Sequence, residues 1–195
     1  MTEGPYVTLA GPGTSSLVVR RSRFLGHAAP VADAGELADF LAAARASHHD
    51  ARHVTYAWIG LDGASRMADD GEPSGTGGRP CLAALTRLDL RGAAVAVARI
   101  FGGVLLGAAN LGRAYGEAAS MAVAAAGTRI VRPERLVRLA VAYSDLERAE
   151  RALQKAGARV VERDFAEAPS LSAWVAVDAL DELRAALPRA RWQDA

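Results

Sequence analysis

Along the first 30 residues the apolar positions fall in short runs separated by turn and basic residues, and read as β. Tyr6, Val7 and Leu9 precede the turn signal Gly11-Pro12-Gly13, and Leu17-Val18-Val19 then leads into Arg20, Arg21 and Arg23. Phe24 to Ala28 continues the extended pattern up to Pro30. Asp33 then stands as an N-cap with Glu36 three residues on, and Leu37, Phe40, Leu41 and Ala44 recur at helical spacing. Val54, Tyr56 and Trp58 alternate with Thr55 and Ala57, a strand signature. Residues 60–80 are rich in Gly, Asp, Ser and Pro and read as one long loop. A short helix over 80–88, a buried strand over Ala93–Ile100 and a second glycine-rich loop, Phe101 to Gly107, follow. Leu111 to Ala126 is Ala-rich with a packed stripe and predicts a helix ending at Gly127.

The pattern restarts after Pro133. Strand (Leu136–Tyr143), helix (Asp145–Ala156), two strands (Ala158–Phe165 and Leu171–Val177), helix (Leu180–Leu187) and a short strand near Arg191-Trp192 spell βαββαβ, the split-βαβ arrangement. The fold class expected is α+β, with one domain over 1–130, a second over 135–195, and a division near residues 128–135. Charge shifts in the same place. Residues 1–133 carry 13 basic and 11 acidic side chains, and residues 134–195 carry 10 and 11.

Composition narrows the function classes. The net charge of the 195-residue chain is +1, so nucleic acid would have to be held by a local basic patch rather than by overall charge. The single cysteine, Cys81, can form neither an intrachain disulfide nor a cysteine metal cluster. No apolar run is long enough to cross a bilayer, and the first residues lack a secretory pattern. A cytoplasmic protein without membrane partners is expected.

Two stretches concentrate candidate chemistry. The first is Asp69-Asp70-Gly71-Glu72-Pro73-Ser74-Gly75-Thr76-Gly77-Gly78-Arg79-Pro80. Asp69, Asp70 and Glu72 could hold Mg²⁺ through their oxygens, or cap local N–H groups. The glycines can turn N–H groups towards an anion at the start of a helix. The second runs from Arg99 through Gly102 and Gly103 to Gly107, and on to Asn110, Arg113 and Tyr115. Its spacing matches neither a P-loop nor a dinucleotide fingerprint. The glycines there serve either close packing or, with the first loop at the same sheet edge, a cleft for phosphate. Cys81 reads as packing, and His53 as structural.

The order and spacing of Ser22-Arg23-Phe24-Leu25-Gly26-His27, His53 to Trp58, Asp69 to Pro80, Arg99 to Gly107 and Arg113-Ala114-Tyr115-Gly116 closely resemble the IMPACT family, in its bacterial YigZ-like branch. The resemblance is strong over about residues 16–127. It implies an N-terminal domain like the second domain of a small-subunit ribosomal protein, with a left-handed βαβ crossover. It implies a C-terminal ferredoxin-like domain similar to domains of elongation factor G. Both relatives bind RNA or sit on ribosomes, and eukaryotic members are linked to translational control. The expected function is therefore translation-related regulation. RNA or a ribosomal surface would be bound through Arg23, Ser74, Gly75, Thr76, Gly77, Gly78, Arg79, Arg99, Gly102, Gly103 and Arg113. Two alternatives stand beside it: a Mg²⁺-dependent hydrolase or phosphate-compound enzyme using Asp69, Asp70 and Glu72, and an adaptor recruiting a protein partner. The residues assign no catalytic group.

Overall fold

The strand and helix periodicities resolve into two compact units in the computed structural model, which describes residues 4–194. One unit spans Tyr6–Val131 and the other runs from Arg132 onward. The first contains strands β1 (Tyr6–Leu9), β2 (Gly13–Val19) and β3 (Ser22–Pro30), helix α1 (Ala34–Ser47), strands β4 (His53–Ile59) and β5 (Ser65–Ala68), helix α2 (Gly78–Thr86), strand β6 (Ala93–Ile100), helix α3 (Ala108–Ala126) and strand β7 (Thr128–Val131).

Five of these strands form one antiparallel sheet in the order β2-β3-β6-β4-β5. β3 and β4 both pair with β6, so they run parallel to each other on either side of it and are joined by α1. Alternation sorts the side chains into two layers. Phe24, Ala57, Val95 and Val97 face α2 and α3, where Leu85, Leu111, Tyr115 and Ala118 complete the larger core. Leu25, Val54, Trp58, Ala96 and Ala98 face α1. Small residues bring α3 close to the sheet. A Cβ at Gly26 would lie 2.8 Å from the Ala118 carbonyl oxygen, so a larger residue there would push the helix away.

Asp33 caps α1 as its sequence predicts, accepting from the N–H groups of Gly35 at 2.8 Å and Glu36 at 3.0 Å. The other end of α1 is pinned by a histidine pair. The Nε2 atoms of His27, on β3, and His48, the C-cap, lie 2.7 Å apart, one ring donating and the other accepting. Burial and then the neighbouring His48 hold His27 below the ordinary histidine range. A base whose folded pKa is depressed stabilises fully above its unfolded value near 6.5, and that stability is lost as pH falls through the folded pKa. Thermal unfolding should therefore show a lower Tm at pH 5 than at pH 7, and His27→Leu should shrink that difference.

Two parts of the chain differ from the sequence expectation. The polar run over 60–80 is not one loop: Ser65–Ala68 forms β5, an exposed edge strand paired to β4. It is only four residues long, with Ser65 and Arg66 polar and one edge unpaired, so no strand pattern stands out from the polar run around it. Thr128–Val131, inside the expected division, forms β7 and pairs with β1 in a separate two-stranded sheet. β7 starts directly after Gly127, which ends α3 at φ +65°.

The second unit contains β8 (Glu134–Ala140), α4 (Leu146–Lys155), β9 (Arg159–Asp164), β10 (Ser170–Ala176), α5 (Leu180–Ala186) and β11 (Arg191–Asp194). Its antiparallel sheet has the order β11-β8-β10-β9, the ferredoxin-like order expected from βαββαβ. Val137, Leu139, Leu171, Ala173 and Val175 on one sheet face bury against Ala149, Leu153, Leu180 and Leu183 of the helices. The molecule is α+β throughout.

Candidate functional site

Both glycine-rich loops leave the same end of the five-stranded sheet. Arg99 pairs in register with His53 at the start of β4, and Ile100 with Arg23 at the start of β3. β5 ends at Ala68, so the acidic loop starts at that same end. The α2 and α3 N-termini follow the two loops.

The three carboxylates of the acidic loop diverge to three different partners. Asp69 accepts from the backbone N–H groups of Gly75, Gly77 and Gly78, each at 2.8 Å. Burial raises its pKa, but those three hydrogen bonds and the Arg79 charge outweigh it and hold the carboxyl below its usual range. Asp70 forms a two-pronged ion pair with Arg45 on α1, at 3.0 and 3.1 Å, and accepts from the Val54 N–H at 2.7 Å. Burial opposes its ionisation too, and Arg45 and the Val54 N–H together lower its pKa. Glu72 accepts from Arg99 at 2.7 Å and from the Tyr115 hydroxyl at 2.7 Å.

These geometries correct the metal expectation. Asp69, Asp70 and Glu72 are not gathered around one point, and each is spent on structure. Among the described residues no group of three or more His, Cys, Asp or Glu side chains could hold a metal ion. The enzyme reading loses its candidate carboxylates with that site.

The phosphate cradle expected at Gly75, Gly77 and Gly78 is corrected for a related reason. Their N–H groups do converge on an anion, but the anion is Asp69. The glycines also allow close packing: a Cβ at Gly77 would collide with Thr55, and one at Gly78 would lie 2.9 Å from the Ala68 nitrogen. Thr76 is buried and donates its hydroxyl to the Pro73 carbonyl at 2.6 Å, while Ser74 is exposed. In the second loop Gly102 fits against the backbone of Arg21 and donates its N–H to Ser22 Oγ at 3.1 Å. Gly103, at φ +83°, meets open space.

The expected arginine set is not one surface. Arg99 is buried under the sheet end, tied to Glu72 and stacked against Phe24 and Phe101. Arg23 is exposed on the α1 side of the sheet, since it shares strand parity with Leu25. Arg79 and Arg113 are exposed on α2 and α3. Between those two helices runs an open groove of about 560 Å³, lined by Pro80, Ala83, Arg87, Arg113, Gly116 and Glu117, with Ser120 at one end. Cys81 lies inside α2, fully buried, with Sγ 3.6 Å from Thr55 Oγ1; burial pushes its thiol up to about 12, which leaves it unreactive.

The Impact N-terminal domain family model matches residues 20–123, more than half of the chain and the whole of this sheet end. The chain belongs to the IMPACT family. It is 31% identical over 164 residues to the IMPACT family member YvyE of Bacillus subtilis, covering 83% of this chain and 76% of that protein. It is 31% identical over 160 residues to the IMPACT family member YigZ of Escherichia coli, covering 80% and 78%. A solved structure described as a crystal structure of an hypothetical protein superposes with a TM-score of 0.68 at 27% identity, covering 98% of both chains.

Within this IMPACT-family chain, sequence reasoning missed Arg45 and Arg87 as site residues, and named Tyr115 at the end of the second stretch without finding its partner. Arg45 and Tyr115 carry no local signal, because their partners Asp70 and Glu72 are 25 and 43 residues away. Arg87 did have one. Pro80, Ala83 and Arg87 recur at helical spacing on α2, as do Arg113, Gly116, Glu117 and Ser120 on α3, so each set forms one stripe.

Proposed function

We propose that the N-terminal unit binds RNA, and acts in translation, through the arginines of the α2–α3 face. The observation that carries this reading is the groove whose two walls present Arg87 and Arg113, with Arg79 on the same helix as Arg87. Neither Arg87 nor Arg113 forms an ion pair with an acid among the described residues, in contrast to Arg45 and Arg99. Exposed guanidinium groups without acidic partners are suited to phosphate oxygens, and a few such contacts hold a duplex in position without reading its sequence. The small net charge confines this affinity to the patch and makes it salt-sensitive.

Arg87→Ala with Arg113→Ala should weaken binding of a fluorescein-labelled 12-base-pair RNA duplex and of purified ribosomes. The loss should be similar for unrelated duplex sequences, and the slope of log affinity against log salt should flatten by about one per lost contact. Fluorescence anisotropy and cosedimentation at low and moderate salt measure this. Absence of binding by the unsubstituted chain at low ionic strength would exclude the RNA reading.

A further inference from the structure

The end of the sheet beyond the groove has features that its structural role does not explain. The β2–β3 hairpin turns on two residues, Arg20 and Arg21, because Val19 pairs directly with Ser22. Both have positive φ, +45° and +71°, the pattern of a type I′ turn. Sterics favour Asn-Gly at those positions, and arginine at both is a strained choice. Neither guanidinium has an ion-pair partner among the described residues. Gly102 packs on the backbone of Arg21, so the β6–α3 loop sits directly against this turn. That loop carries Phe101, 50% exposed, and Leu105, 82% exposed. No acidic residue occurs in either segment, 19–23 or 100–107.

Phe101 is not a loose side chain. The Arg99 guanidinium lies 5.4 Å from its ring centre, and Arg99 is itself fixed between the Phe24 ring and Glu72. One side of an aromatic ring is thus held on a buried cation, while half of the residue meets solvent, and the next residue, Gly102, packs on the backbone of the turn that carries Arg20 and Arg21. A fixed aromatic face next to cations is the combination that binds single-stranded nucleic acid. Lipid insertion would not call for a ring anchored on a buried ion pair. A helical peptide would call for a groove, and two grooves of this unit, the one between α2 and α3 and the one beside Ile59 and Leu90, are lined by other residues.

We propose that Phe101, Arg20 and Arg21 form a subsite for an unpaired nucleotide, the base stacking on Phe101 and its flanking phosphates meeting the two arginines. This rests on the RNA reading above and adds a preference to it: an RNA with a single-stranded segment is held at the sheet end as well as along the α2–α3 groove. Val104 and Leu105 extend the apolar surface beside the base.

The test compares a fluorescein-labelled single-stranded 12-mer of adenosine with the 12-base-pair duplex by anisotropy. Phe101→Ala should weaken the single strand about tenfold and leave the duplex unchanged, and Phe101→Trp should retain binding. Arg20→Asn with Arg21→Gly installs the sequence the turn prefers, so its Tm should equal or exceed that of the unsubstituted chain. The same variant should lose single-strand affinity and flatten the salt slope by about 1.4, at about 0.7 for each lost contact to a single strand. Falling affinity with unreduced Tm separates a binding role from a folding defect. Duplex binding that depends on Arg87 and Arg113, together with single-strand binding indifferent to Phe101, would overturn this subsite and leave the broader RNA reading standing. Phe101-dependent binding to vesicles of phosphatidylserine and phosphatidylcholine, without single-strand binding, would overturn it in favour of a lipid surface. Failure of the unsubstituted chain to bind either RNA would overturn both.

Discussion

Glu72→Ala is expected to lower the stability of the N-terminal unit by about 3–5 kcal/mol, the range for removing one partner of a buried ion pair. The side chains of Glu72 and Arg99 are 4% and 9% exposed, so neither charge can turn to water when its partner is lost. Arg99 already has a buried Nε without a hydrogen-bond partner. Removing Glu72 strips its Nη1 partner as well, and it also takes the acceptor from the Tyr115 hydroxyl. Burial, and then the bond to Glu72, raise the Tyr115 pKa far above its ordinary value, so this hydroxyl remains a donor in need of an acceptor. Arg99→Met should cost a similar amount for the converse reason. Glu72→Leu, Arg99→Met and Tyr115→Phe combined should cost less than either single change, because no buried polar group is then left unpaired. Trp58 is buried in this unit, with Nε1 donating to the Val31 carbonyl at 2.9 Å. In a Trp174→Phe, Trp192→Phe background it reports the urea transition of the unit. Single and triple variants with equal midpoints would show that the three groups are not energetically coupled.

The Glu72–Arg99–Tyr115 cluster also marks where sequence reading succeeds and where it stops. The fold was legible because its signals are local. Asp33 with Glu36 announces the start of α1, Gly127 the end of α3, and the alternation through Trp58 the face of β4. The ferredoxin-like order follows from six short patterns read in sequence. The site was less legible because carboxylates were read by proximity along the chain. Asp69, Asp70 and Glu72 are neighbours in sequence, but a left-handed residue at Asp70 (φ +48°) and Gly71 (φ +86°) turns them apart. Each then finds a partner from another element: glycine N–H groups, Arg45 of α1, and Arg99 of β6 with Tyr115 of α3. Glycine density was likewise ambiguous, since close packing and anion binding ask for the same residue. Only the position of Asp69 distinguishes them.

Asp69→Ala should be the second large effect, a loss of about 2–5 kcal/mol from orphaning the N–H groups it now satisfies. Three donors converge on it, and two of them belong to the buried residues Gly77 and Gly78. Thr55 and Ala68 pack against these two glycines, which limits how far the loop can rearrange to find them other acceptors. The loss extends to α2, because the Gly77 and Gly78 N–H groups are the first donors of that helix and it has no other side-chain cap. Asp69→Asn should cost less, since an amide oxygen can still accept, but it gives up the charge that the helix start and Arg79 favour. A pH titration separates these contributions. A carboxyl whose folded pKa lies below its unfolded value of 3.8 stabilises fully above that value, and the stabilisation disappears as pH falls through the folded pKa. The difference in stability between the unsubstituted chain and Asp69→Asn should therefore be constant near neutrality and shrink below about pH 4. Arg87 lies at the C-cap of α2, so a frayed α2 also moves one wall of the groove. Asp69→Ala should consequently weaken duplex binding at the proposed site although Asp69 does not line the groove. Asp69→Asn, with the helix start retained, should restore most of it. A variant that loses stability while keeping full duplex affinity would show that the start of α2 and the groove are not coupled.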